Sequence, residues 1–229
     1  MHLYTASRVI CAVLAADGIY REDYAAAFLW LMAAAAIDGS DGILARRFRV
    51  QETVPEIDGR RLDDLVDFLT YSFLPLVMIA RAGWLPSPAW LWASLALFAF
   101  ANVSAKQEDA GFFMGFPSYW NVFAFYTAVG LHLHGETLVL ALLLVFSLTR
   151  VVRLRFVYPT RARRWYHLFL WESWLWFVVL LVLLWEFNVK GAVSTWLLAV
   201  SLVYPGRYVV LSLYLDLSSR RVERTQYQK

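Results

Sequence analysis

Residues 24–46 read YAAAFLWLMAAAAIDGSDGILAR, and residues 59–82 read GRRLDDLVDFLTYSFLPLVMIARA. Each is a strongly apolar run with acids at one end: Asp38 and Asp41 in the first, Asp63 and Asp67 in the second. Spacings of three and four residues set each pair on one face of a helix. A carboxylate beside hydrocarbon is costly, so it is rare there and marks function by default. Four such charges brought together repel one another. Hard divalent cations held through carboxylate oxygens are the simplest compensation. The two stretches therefore predict neighbouring membrane helices whose acidic ends meet around metal.

The bulk composition agrees. The chain has 229 residues, 60% of them hydrophobic, and a mean hydropathy of +0.53. That places it among polytopic membrane proteins and outside soluble domains. Eleven Trp, twelve Tyr and sixteen Phe suit aromatic belts at two interfaces. A sequence pI near 9.0 invites a nucleic-acid reading, but the basic residues cluster between apolar runs, where anionic headgroups account for them. Cys11 is the single cysteine, so no internal disulfide forms. Arg8 followed by Val9 to Ala16 loosely mimics a signal peptide, yet it reads better as a short first helix.

Eight apolar segments can be drawn, over 6–20, 24–45, 60–82, 87–105, 118–134, 136–157, 165–187 and 191–214. The expected fold is all-α: a polytopic integral membrane protein of about eight transmembrane helices, one domain over 1–229, with a polar cavity facing the cytosol. Arginines gather after the second segment (Arg46, Arg47, Arg49, Arg60, Arg61), around the sixth (Arg150, Arg153, Arg155, Arg161, Arg163, Arg164) and in the tail. The positive-inside rule then puts both termini and the aspartates on the cytosolic side.

The series Asp38-x-x-Asp41-Gly42-x-x-Ala45-Arg46, a spacer, then Gly59-x-x-x-Asp63-x-x-x-Asp67 resembles the signature of the CDP-alcohol phosphotransferases at all eight fixed positions. That resemblance implies a reaction in which an alcohol attacks the lipid-linked phosphorus of a CDP-activated donor and CMP departs. It implies that Asp38, Asp41, Asp63 and Asp67 ligate one or two Mg²⁺ or Mn²⁺ ions, with Asp67 also the general base. By the same match, Gly42 and Ala45 give the nucleotide room, Arg46 pairs with phosphate, and Gly59 permits close contact with cytidine or a tight helix entry. The family further implies a homodimer in a bacterial-type inner membrane. Helix caps paired with arginines are the plainer reading of the acids, and all eight positions in order argue against it.

The spacer between Arg46 and Gly59 is twelve residues long. It is similar to that of the bacterial phosphatidylcholine synthases, which join choline directly to CDP-diacylglycerol. The runs Asp67–Tyr71, Glu108-Asp109, Gly115–Asn121 and Arg155–Arg161 resemble theirs too. A quaternary ammonium donates no strong hydrogen bond, so its pocket needs aromatic faces and a carboxylate. Tyr71, Glu108 and Trp120 are the candidates, set in a loop rich in Phe112, Phe113, Phe116 and Tyr119; an interfacial aromatic belt explains that loop equally well. Arg150, Arg153 and Arg155 leave serine, glycerol 3-phosphate or inositol phosphate open as acceptors. A cation transporter that uses the acids as an ion path is the reading from another class.

The remaining candidates have structural readings. His132 and His134 lack further metal-ligand partners and read as interfacial. Glu172 is expected to pair with Arg164 or Arg207, Glu186 to sit at the external interface, and Pro205-Gly206 to kink the last segment. Asp58 and Asp64 fall outside the motif spacing and read as solvated charges.

Overall fold

The computed structural model describes residues 2–48, 59–86, 106–107, 111–149, 152–158 and 166–227; at 2, 3, 5, 41–48, 59–60, 106–107, 166–167 and 221–227 it describes the backbone alone. The described elements are α1 (His2–Tyr20), α2 (Tyr24–Phe48), α3 (Gly59–Asp67), a π-helical turn (Phe68–Phe73), α4 (Leu74–Arg81), β1 (Lys106–Gln107), β2 (Phe112–Met114), α5 (Trp120–Val129), a 3₁₀ turn (Leu131–His134), α6 (Glu136–Leu148), β3 (Arg155–Val157), α7 (Tyr166–Lys190), α8 (Thr195–Ser201) and α9 (Val203–Tyr227). The fourth apolar segment, 87–105, lies outside the described residues, as do Asp58, Arg150, Arg161, Arg163 and Arg164. The chain divides into two compact units: Met1–Leu97 with Ser118–Leu140, and Phe98–Pro117 with Ala141–Lys229.

The first unit is built on α1 against α2. Their facing surfaces are lined with small residues: Ala12, Ala15, Ala27 and Ala34 are all buried, with Phe28 and Leu31 between them. Lipid tails are as apolar as leucine, so helices in hydrocarbon associate where small residues let their backbones close in. Gly18 marks the tightest approach. A Cβ there would stand 2.9 Å from the Ala27 backbone nitrogen and 3.1 Å from the Asp23 carbonyl. Asp23 then caps α2, its Oδ1 accepting from the Ala26 N–H at 3.0 Å. Beyond α2, α1 also touches α3 and α4, so one helix contacts both halves of the acidic motif.

The segment drawn at 60–82 is helical throughout but not uniform. Between α3 and α4 it widens into the π turn, where the Leu74 N–H reaches back five residues to the Leu69 carbonyl. Pro75 follows at the start of α4. It has no N–H to give to the preceding turn, and its ring would crowd a carbonyl four residues back; the wider turn relieves both.

The second unit carries an element that hydrophobicity alone does not predict. β1, β2 and β3 form a three-stranded antiparallel sheet, with Lys106 opposite Phe113 and Phe113 opposite Phe156. The apolar run at 136–157 is thus no continuous helix: α6 stops at Leu148, the chain turns through Arg153 at φ 54°, and β3 follows. Asp216 of α9 is 1% exposed and accepts from the Arg155 Nε at 3.0 Å and the Arg220 Nε at 2.9 Å, which fixes the sheet to that helix. The stretch 191–214 is divided at Leu202, with Pro205 in the first turn of α9, where a missing N–H costs nothing.

Among the described residues, two stretches are long and apolar enough to cross a bilayer, Leu168–Lys190 and Thr195–Arg220. Their many outward Trp, Leu and Val side chains suit hydrocarbon. The chain is mostly helical, as expected.

Gly18→Ala should lower stability in detergent by about 1–3 kcal/mol, because the added methyl meets backbone that cannot swing aside. Gly206→Ala, with nothing within 4 Å of the new Cβ, should be neutral. Thermal unfolding of the two variants side by side checks the contrast.

Candidate active site

Asp38 comes from α2, and Asp63 and Asp67 from α3, one helical turn apart. The structure brings the three together: each offers a carboxylate oxygen within 4.8 Å of the others. What binds them is a residue that the motif does not contain. Arg8, on α1, places its Nη1 at 2.7 Å from Asp38 Oδ1 and 2.8 Å from Asp63 Oδ1, while its Nη2 donates to Asp67 Oδ1. The Arg8 side chain is 0% exposed, against 28%, 35% and 18% for the three acids. The acids are therefore not left to repel without a counter-charge. Among the described side chains, one guanidinium meets three carboxylates, an acidic surplus that suits a divalent cation. Hard oxygen donors from three side chains fit Mg²⁺ or Mn²⁺.

Asp38 is held from its other side as well. The Tyr71 hydroxyl donates to Asp38 Oδ2 at 2.9 Å, so both oxygens of this acid are oriented. Tyr71 lies within the π turn, and its ring centroid is 6.5 Å from that of Tyr119. Ser40, inside the motif, is reached from α1 by the Tyr4 hydroxyl at 2.8 Å. Thus α1 holds the motif at two points, four residues apart.

Against known proteins, the model of the family described as CDP-alcohol phosphatidyltransferase matches residues 2–152. The chain belongs to this CDP-alcohol phosphatidyltransferase family. Among curated relatives, the phosphatidylcholine synthase of Pseudomonas aeruginosa is 39% identical over 183 residues, 78% of this chain and 76% of that protein. That of Legionella pneumophila is 35% identical over 170 residues, covering 70% and 64%. That of Legionella bozemanae is 32% identical over 215 residues, covering 86% and 93%. No solved structure matches the chain. The family is one of transferases, and nothing in these matches supports a cation transporter.

Within this family member, the other motif positions fall where the signature requires a helix. Asp41, Gly42, Ala45 and Arg46 continue along α2, and Gly59 opens α3. Of the choline candidates, Glu108 lies outside the described residues. Trp120 begins α5 and is 2% exposed, its ring 5.8 Å from Phe123. Phe112, Phe113 and Phe116 belong to the second unit and pack there, Phe113 on Tyr158 and Phe116 on Phe146. Arg155 donates to Asp216, and the Arg153 carbonyl accepts from Arg220. The expected pairing of Glu172 with Arg207 is present, and His132 stacks on Trp84 with its Nδ1 2.7 Å from the Thr127 carbonyl. Glu186 is buried, tying Lys190 and Ser194 at the α7–α8 turn.

Arg8 is the functional side chain that sequence reasoning missed. The available signal was a single arginine ahead of an unbroken apolar run, which intramembrane charge rules would have flagged.

Tyr71→Phe keeps the ring and removes the donor on Asp38. A hydrogen bond to a charged group is worth about 1.5–3 kcal/mol, so Mn²⁺ affinity should fall about tenfold or more. Titration of the purified variant with Mn²⁺, following free ion by electron paramagnetic resonance, measures it.

Proposed function

We propose that this chain transfers the phosphatidyl group of CDP-diacylglycerol to choline, giving phosphatidylcholine and CMP. The observation that carries the reading is the convergence of Asp38, Asp63 and Asp67 in a chain with the family motif and phosphatidylcholine synthase relatives. In the reaction the choline oxygen bonds to the lipid-linked phosphorus, the bond from that phosphorus to the CMP oxygen breaks, and the hydroxyl proton goes to Asp67. Asp38, Asp41, Asp63 and Asp67 are the residues that would hold one or two Mg²⁺ or Mn²⁺ ions. When bound, such ions supply positive charge to the pyrophosphate and its departing oxygen. Gly42 and Ala45 leave α2 without bulk where the nucleotide lies, Gly59 does the same at the entry to α3, and Arg46 pairs with donor phosphate. Tyr71 and Trp120 supply aromatic faces to the trimethylammonium group and Glu108 a carboxylate. The proximity of the Tyr71 and Tyr119 rings supports that placement.

The setting that goes with this reading is a single domain of about eight spans in a bacterial-type inner membrane. Both termini and the acids face the cytosol, where choline and CMP exchange with water, and the enzyme works as a homodimer. The apolar lengths of α7 and of α8 with α9 support the membrane setting and the arginine-rich connections the orientation; the homodimer rests on family resemblance. The same chemistry with serine, glycerol 3-phosphate or inositol phosphate as acceptor is the alternative.

Purified enzyme with CDP-diacylglycerol and Mn²⁺ should release CMP with choline and not with the other three acceptors. Release driven by one of those instead would replace the acceptor and leave the reaction class standing. Asp67→Asn should lower kcat by about a hundredfold or more while the donor KM changes little, as loss of a general base requires. Equal losses in both would make Asp67 a binding residue only.

A further inference from the structure

The eight motif positions explain the acids but not the cation among them. Arg8 reaches Asp38 and Asp63 through one nitrogen and Asp67 through the other, so its guanidinium stands among the oxygens that lie within 4.8 Å of one another. A divalent ion bound by those three residues draws on the same carboxylates and on the space around them. The guanidinium is not a loose surface group that drifts in. It is fully buried, it sits on a helix packed along α2 through close small-residue contacts, and that helix is tied to Ser40 by Tyr4. Nor can it lose its charge, since guanidinium stays protonated at any working pH.

We propose that Arg8 is a built-in cation of the catalytic cluster that competes with divalent ions for Asp38, Asp63 and Asp67, and so sets the metal affinity of the enzyme. The proposal rests on the reading of these acids as the metal site. Two effects act in the same direction. Direct occupation of carboxylate oxygens removes ligands, and repulsion between the guanidinium and an incoming ion at such short range raises the free energy of the bound state. In exchange, Arg8 keeps three acids together when the ion concentration is low. The protein thus gains a preassembled cluster and gives up affinity for metal.

The test uses the full-length protein in detergent, stripped with a chelator, then titrated with Mn²⁺ alone while free ion is followed by electron paramagnetic resonance. Arg8→Gln should bind Mn²⁺ about tenfold tighter or more than wild type. Its thermal midpoint should fall in chelator and recover in Mn²⁺, widening the gap between the two conditions. A merely structural arginine would lower both midpoints alike. Arg8→Lys, which keeps the charge but cannot span three carboxylates, should bind Mn²⁺ more tightly than wild type by a smaller factor; it serves if the glutamine variant does not survive purification. Affinity equal to or weaker than wild type in whichever variant is measured overturns the proposal and leaves the metal site intact. Failure of wild type and variant alike to bind Mn²⁺ overturns the metal reading itself, and the competition with it.

Discussion

Burying a guanidinium among carboxylates is the constraint around which the first unit is arranged. Taking either ion out of water costs several kcal/mol, and their attraction offsets that cost only with close, well-directed contacts. Arg8 makes such contacts with three acids from two helices. For that, α1 must approach α2 and α3 closely enough for a side chain of fixed length to bridge them. The small residues along α1 and α2 meet this need, and Gly18 shows how little tolerance remains, with backbone 2.9 Å from where a Cβ would stand. Packing and charge therefore depend on each other. Without the close helix contact the arginine would fall short of the acids, and without the acids it would be an unpaired charge in an apolar unit.

The π turn extends the same logic to Asp38. A regular α-helix through Phe68–Phe73 would carry Tyr71 one ordinary turn past Asp67, on the Asp67 face. From within the wider turn its hydroxyl reaches Asp38 on α2. An acid with one oxygen on Arg8 and the other on Tyr71 has little freedom to rotate. Such outer partners matter because a ligand already aimed at its ion loses less entropy on binding. The proline that follows supplies the local reason for the widened turn, so a backbone irregularity and the orientation of a functional side chain share one cause.

How much of this the sequence could show depends on the range of each interaction. Acid pairs three or four residues apart are local, and a helix converts that spacing into a common face; the motif was legible for that reason. Glu172 with Arg207 was legible because an acid in an apolar helix needs a base and few were near. Arg8 was not, since its partners Asp38, Asp63 and Asp67 lie 30, 55 and 59 residues away and only packing brings them together. The role of Tyr71 was half legible: its closeness to the site follows from α-helical counting, but its bond to Asp38 is a contact between helices that spacing does not give. Strands of two and three residues carry too little pattern to be told from a loop. Aromatic richness fails for another reason. Trp120 in the core and Trp171 facing outward have the same composition signal, and only burial separates them.

Charge counting at the buried ionic clusters separates scaffold from site. Glu172 with Arg207, a partly exposed pair, balances one to one in charge. Asp216 meets Arg155 and Arg220, an excess of one positive charge, but Arg220 is 39% exposed and water screens the surplus. In the first unit the surplus lies on the acids, which are 28%, 35% and 18% exposed. Among the described side chains, three acids face one arginine, and that arginine has no contact with solvent. Carboxylates held so close together favour drawing in something positive. A cluster that served stability alone would be neutral, like the Glu172 pair. The surplus of acids over bases among the described side chains is thus what would let this cluster accept a divalent cation, as the proposed reading requires.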